Sequence, residues 1–175
     1  MNEVDELLDI VDEKGNVVGQ ETRGEVYKKG LLHRASHVLI KNSMGQIYLQ
    51  KRSGNKKILP GYWDISSSEH LKLGENFEQA AKRGLKEELG IETQLTLIRD
   101  SHHQTSRNEL GGEILLENEL VALFEGVFDG EGKFYKEEIS EVRVFTKEEI
   151  NQAIEDGSMK FTDWFLEEWE FLQKV

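Results

Sequence analysis

The spacing of hydrophobic residues changes several times along this chain. Two short β-rich runs come first, Leu7 to Val11 and Val17 to Thr22. Asp12-Glu-Lys-Gly-Asn16 between them supplies turn residues, so the pattern predicts a hairpin over 7–22. Glu25 to Gly30 is polar and predicts a connection or a short helix. Leu31 to Ile40 becomes β-rich in its second half, and Gln46 to Lys51 alternates like a strand. From Leu73 to Ile91 the spacing becomes helical. Phe77, Ala80, Ala81, Gly84, Leu85 and Leu89 form one stripe, which predicts a helix over Glu75 to Leu89 with Gly74 at its entry and Gly90 at its exit.

Gln94 to Arg99 reads as a strand, and the polar stretch Asp100 to Gly112 reads as an exposed loop. Ile114 to Phe124 is the clearest strand. Glu141 to Phe145 predicts a last strand. Thr146-Lys-Glu-Glu149 is a capping box, which opens a helix to about Asp156. Phe161, Trp164, Phe165, Leu166 and Trp169 recur at helical spacing and predict a second helix packed on a sheet. These C-terminal helices occupy 147–174.

Several of these elements carry charge where apolar residues are expected. Glu88 falls on the helix stripe, three residues past Leu85 and four past Gly84, and Glu87 neighbours Arg83 and Gly84. Glu117 and Glu119 are two apart, so they share a strand face with Leu115 and Val121. A carboxylate on a buried face is costly unless something compensates it. Hard cations do so, because carboxylate oxygens are their preferred ligands. Arg52-Ser-Gly-Asn-Lys-Lys57 is a basic loop in which Arg52, Lys56 or Lys57 could donate to a diphosphate.

Composition narrows the function. At 175 residues the chain supports one domain with a full core, and no linker marks a second. Its 34 acidic and 22 basic residues give a net charge of -12, which argues against nucleic acid or an anionic membrane as partner. A small phosphorylated ligand stays open, since a bound divalent ion reverses the local sign. With no cysteine, thiolate chemistry and disulfides are excluded. The acidic start, without a basic segment leading into an apolar run, predicts a cytoplasmic protein.

The stretch Glu69 to Ile91 resembles the Nudix box. That box runs glycine, five residues, glutamate, seven residues, then Arg-Glu-apolar-X-Glu-Glu-X-Gly-apolar. Glu75, Arg83, Leu85, Glu87, Glu88, Gly90 and Ile91 keep its register. Glu69 stands where the first glycine belongs, and Gly84 where the glutamate after the arginine belongs. Around the box, the chain is similar to the branch containing isopentenyl diphosphate isomerase and its related hydrolases. His33 matches a histidine that helps to hold a metal in the isomerase. Ser68, Glu69 and His70 stand where it carries a catalytic cysteine, a glycine and a metal-binding histidine. Glu117 and Glu119 resemble its pair of acidic ligands.

The resemblance implies a single α/β domain, a Nudix-type α/β/α sandwich with a mixed sheet between helices. It implies metal-dependent hydrolysis of a small-molecule diphosphate linked to another moiety, with Mg2+ or Mn2+ as cofactor. Glu87, Glu88, Glu117, Glu119, His33 and His70 are the metal candidates, and Glu87 or Glu119 the candidate base. Arg52, Lys56 and Lys57 would bind substrate, and a homodimer is compatible with this reading. Two alternatives follow from the departures. Gly84 and Glu69 suit a weakened diphosphate-binding module, and the histidines suit the isomerase, which the lack of cysteine disfavours. If the chain is a hydrolase, another carboxylate must replace the one missing at Gly84. Glu87 and Glu119 are nearest by spacing, and Gly84→Glu is expected to raise hydrolysis at least tenfold, about 1.4 kcal/mol of barrier, provided the side chain fits.

Overall fold

A computed structural model of the chain describes residues 3–134 and 137–175, so Met1 and Asn2 of the acidic start lie outside the described residues. Leu7–Val11 (β1) and Val17–Thr22 (β2) form the predicted antiparallel hairpin, and Arg23–Lys29 (α1) follows as a short helix. His33–Lys41 (β3), Ile47–Arg52 (β4), Trp63–Asp64 (β5), Ser67–His70 (β6), Leu95–Leu110 (β7), Glu113–Val127 (β8) and Ile139–Phe145 (β9) make a seven-stranded sheet. β3 and β8 pair in parallel and the remaining pairs are antiparallel, so the sheet is mixed. Phe77–Leu89 (α2), Lys147–Asp156 (α3) and Asp163–Leu172 (α4) complete the fold.

The two faces of the sheet bury different helices. Ala81, Leu85 and Leu89 of α2 pack on Val38, Ile40, Ala122 and Phe124. On the other face, Ile150 of α3 and Phe165 and Trp169 of α4 cover Leu39, Leu49 and Leu123. Trp63 packs there edge-on to Phe145, with ring centroids 5.1 Å apart. Leu8, Val26, Tyr27, Ile58 and Trp164 form a smaller cluster beneath α1.

Two boundaries differ from the sequence reading. α2 starts at Phe77, not Glu75, because Asn76 caps it: its side chain accepts from Gln79 N–H while Gln79 reaches back to the cap. Glu75 therefore lies before the helix. The stretch expected as a loop, Asp100 to Gly112, is mostly strand. β7 continues to Leu110, and Gly111-Gly112 turns directly into β8 with φ of 59° and 86°. Glycine supplies this two-residue hairpin turn without steric cost. Among the described residues β7 is an edge strand paired with β8 alone, so most of its polar residues face water, and two register shifts break their alternation.

Candidate functional site

The parallel pairing of β3 with β8 sets His33 directly opposite Glu119. His33 Nε2 lies 3.2 Å from Glu119 Oε1, and His70 Nε2, from β6, lies 3.0 Å from the same oxygen. The ligand atoms of these three residues all fall within 4.8 Å of one another. His33 Nδ1 is 2.9 Å from the Leu31 carbonyl oxygen, which can only accept. The ring hydrogen therefore sits on Nδ1, and Nε2 faces the carboxylate. That Nε2 is buried and has no aligned hydrogen-bond partner. An outer carbonyl that fixes the ring in this way is the usual support of a metal-binding imidazole.

The charges in this cluster are strongly shifted. Burial, followed by the charge of Arg23, presses His70 down to about 4, so its imidazole is neutral at pH 7. Burial would raise Glu119, but the nearby imidazoles of His33 and His70 hold it well below the carboxylate range. Burial opposes a charge on His33, yet Glu119 outweighs it and the pKa rises. Glu117, one pleat away, is pushed up to about 7 by burial and then by Glu119.

A second acidic group lies on the other side of β6. His70 pairs with Ala35 and Glu69 with Ser36, so successive β6 side chains face opposite sides of the sheet. Ser36 donates to the Phe77 carbonyl, which marks its side as that of α2. There Glu88 is buried and accepts from Gln50 Nε2 at 2.5 Å. Burial first, and then Glu69, raise its pKa well above the usual value. Glu87 is half-exposed and accepts from Arg83 Nη1 at 3.1 Å, with Lys72 3.6 Å away.

Both groups open into one cavity of about 380 Å³, lined by Glu69, His70, Glu87, Glu88, Glu117 and Glu119. His33 lies buried behind it. The six residues expected around one metal thus divide into two sets, His33, His70, Glu117 and Glu119 on one side and Glu87 and Glu88 on the other.

The expected phosphate clamp divides as well. Lys56 and Lys57 line the cavity, with Lys56 Nζ 3.4 Å from Glu138. Arg52 also lines it, but its guanidinium is committed: Nε and Nη2 donate to the Ile58 carbonyl, and Nη1 donates to Asp64 at 3.1 Å. Arg52 therefore ties a loop to a buried aspartate.

Packing holds residue 84 to glycine. A Cβ on Gly84 would collide with Glu69 Cγ and stand 2.9 Å from Glu69 Cβ and 3.0 Å from Ser67 Oγ. A larger residue at 84 does not fit beside Glu69. The sequence reading takes Glu69 only as a lost glycine and misses Gln50 and Tyr27, whose hydroxyl lies 3.3 Å from His70 Nε2. The alternation Ser67 to His70 was the available signal, since it sends Glu69 toward the helix and away from His70.

Residues 31–165 match the NUDIX domain family. The chain is 32% identical over 163 residues to an isopentenyl-diphosphate Delta-isomerase of Serratia proteamaculans, covering 93% of this chain and 89% of that protein. It is 34% identical over 143 residues to an uncharacterised Nudix hydrolase of Pseudomonas aeruginosa, covering 82% and 80%. In fold it is similar to a crystal structure from Deinococcus radiodurans, with a TM-score of 0.74, 23% identity and coverage of 97% and 98%. It also resembles the NUDIX domain of Shewanella oneidensis NrtR complexed with ADP ribose, with a TM-score of 0.59, 11% identity and coverage of 88% and 98%.

Proposed function

Since this chain belongs to the Nudix family, we propose that it is a metal-dependent hydrolase that cleaves a small-molecule diphosphate linked to another moiety. One observation carries this reading. The cluster His33, His70 and Glu119 opens beside a cavity that Arg23, Lys28, Lys56, Lys57 and Lys72 also line. Ligand atoms and phosphate-binding cations therefore face the same space. The donor sets fit divalent ions. His70 is neutral, His33 aims Nε2 inward, and with the Glu119 carboxylate they suit a transition ion such as Mn2+. Glu87 and Glu88 on the α2 side suit Mg2+ as readily.

His33, His70 and Glu119 on one side and Glu87 and Glu88 on the other would hold a divalent ion, which would supply charge neutralisation for the diphosphate and a more acidic water. The chain's own residues supply the rest. Lys56 and Lys57 hold the phosphate oxygens by charge-assisted bonds. Arg83 fixes the Glu87 carboxylate at the cavity rim. Glu119 is committed to two imidazoles, so Glu87 is the candidate base. The test is phosphate release from a panel of nucleoside and isoprenoid diphosphates with Mg2+ or Mn2+. Turnover that a chelator stops supports the reading; no turnover of any diphosphate overturns it.

The isomerase similarity favours a second reading, since His33, His70, Glu117 and Glu119 match its ligand pattern. Ser68 replaces the thiol at the cavity wall, and a hydroxyl is far less acidic. Conversion of isopentenyl diphosphate to its isomer without phosphate release would favour that reading over hydrolysis.

A further inference from the structure

The two departures from the box lie against each other. Glu69 occupies the space over Gly84 that a side chain at 84 would fill, and β6 and α2 approach so closely that only a glycine fits there. Compared with the box pattern, glycine and glutamate have exchanged places across this contact. The acidic side chain arrives from the strand, where the pattern has it arriving from the helix.

The carboxylate of Glu69 ends among the α2 acids. Its Oε2 accepts from Arg83 Nη1 at 2.9 Å, on the same nitrogen that serves Glu87. With Glu87 and Glu88 it also lines a smaller hollow of about 210 Å³. Arg83 has no donor left for any of them. Its Nε and Nη2 bind Glu75, Nη1 binds Glu69 and Glu87, and the other Nη2 hydrogen binds the His70 carbonyl. These bonds use all five N–H groups of a guanidinium. Glu88 is held by the neutral amide of Gln50. Glu69, Glu75 and Glu87 thus share one saturated guanidinium, and Glu88 lies buried near Glu69 with only an amide as its hydrogen-bond donor among the described contacts. Crowding of this kind is costly unless a further positive charge joins it.

We propose that Glu69 is a metal ligand of this protein, supplying from β6 the carboxylate that α2 lacks at Gly84, so that Glu69, Glu87 and Glu88 hold a divalent cation together. The proposal rests on the metal-dependent reading above. It makes the exchanged box a complete site reached from another element.

Mn2+ binding tests it directly, read as free Mn2+ by electron paramagnetic resonance during titration of the full chain. Glu69→Gln keeps the side-chain volume and should weaken one class of bound Mn2+ at least tenfold, as Glu88→Gln should. The exchange variant Glu69→Gly with Gly84→Glu should recover affinity to within about threefold of native, since 1.4 kcal/mol is a factor of ten and a moved carboxylate loses less. His70→Gln separates out any ion held by the imidazole cluster. A Glu69→Gln isotherm identical to the native one, with Glu88→Gln impaired, overturns the proposal while leaving the metal-dependent reading intact. A native protein that binds no Mn2+ overturns both.

Discussion

Nδ1 of His37 lies 3.1 Å from a carboxylate oxygen of Glu168, and both side chains are sealed from water. The pair joins β3 to α4 through the core. Arg99 Nη1, 3.1 Å from Glu168, and His102 Nε2, 3.0 Å from it, approach from β7, and Gln104 donates at 3.3 Å. Burial opposes the charge on His37, but the bond to Glu168 outweighs it and its pKa is raised. Burial would raise Glu168, but His102 and then His37 hold it at about 2.

The signs define a pH window. The raised His37 contributes stability that is fully present below its unfolded value of about 6.5 and is lost as pH rises through the folded value. The lowered Glu168 contributes above its unfolded value of 4.5 and loses this as pH falls toward about 2. The pair should stabilise most between 4.5 and 6.5. Denaturant midpoints from pH 2 to 8 should show this maximum, and Glu168→Gln should flatten it while costing about 3–5 kcal/mol. A variant that keeps the native pH profile would refute the assignment.

Gly84 makes an opposite-sign prediction about packing. In an open helix, glycine to alanine gains roughly 1 kcal/mol. Here the new Cβ meets Glu69 and Ser67, and overpacking costs about 1–3 kcal/mol. Gly84→Ala should therefore destabilise the native chain. In a Glu69→Gly background the collision is gone, and the same change should become neutral or stabilising. Chemical denaturation of the four proteins decides it, and a stabilised Gly84→Ala single variant would show that the helix and strand yield. By the same collision, Gly84→Glu alone should bring no gain in hydrolysis.

Much of the fold was legible because it rests on local signals. The Thr146 capping box formed as read, with Thr146 accepting from Glu149 N–H at 3.1 Å. The hairpin over 7–22 and the C-terminal aromatic stripe did too. The site was legible only as a set of residue types. Its division follows from β6 sending His70 and Glu69 to opposite faces, a contact between residues far apart in the chain. The β7 extension was hidden because an edge strand needs no hydrophobic alternation on its wet side. Its Gly111-Gly112 turn is visible in the sequence, but a glycine pair in a polar stretch suits a loop equally well.

Arg52 should behave as a structural residue. Its bonds to Ile58 and Asp64 lie beneath Trp164, whose ring centroid is 5.2 Å from the guanidinium carbon. Asp64 also accepts from Thr162 and Trp164, and is buried. Arg52→Ala leaves that carboxylate without its charge partner, which costs about 3–5 kcal/mol for a buried pair. Lys57→Ala, at an exposed rim position, should leave stability within about 0.5 kcal/mol and weaken diphosphate binding instead. Melting curves paired with substrate affinity separate the two. An Arg52→Ala protein of native stability that fails to bind diphosphate would restore Arg52 to the substrate clamp.

Metal addition should stabilise the folded chain, since the clustered ligands exist together only when it is folded. A ligand at 100 times its Kd contributes about 2.7 kcal/mol. For a chain of this length each kcal/mol shifts Tm by roughly 2–4 °C, so saturating Mn2+ should raise Tm by about 5–10 °C. A chelator should reverse the rise. Glu119→Gln should remove most of the part due to the imidazole cluster, because Glu119 is the one carboxylate both histidines face. Acid should weaken it as well. His33 has a raised pKa and must shed its extra proton to bind, whereas His70, at about 4, is already neutral. The Mn2+ effect on Tm should therefore shrink as pH falls through the raised value of His33, before His70 titrates. A Tm unmoved by saturating Mn2+ at every pH of the series counts against a metal at this cluster.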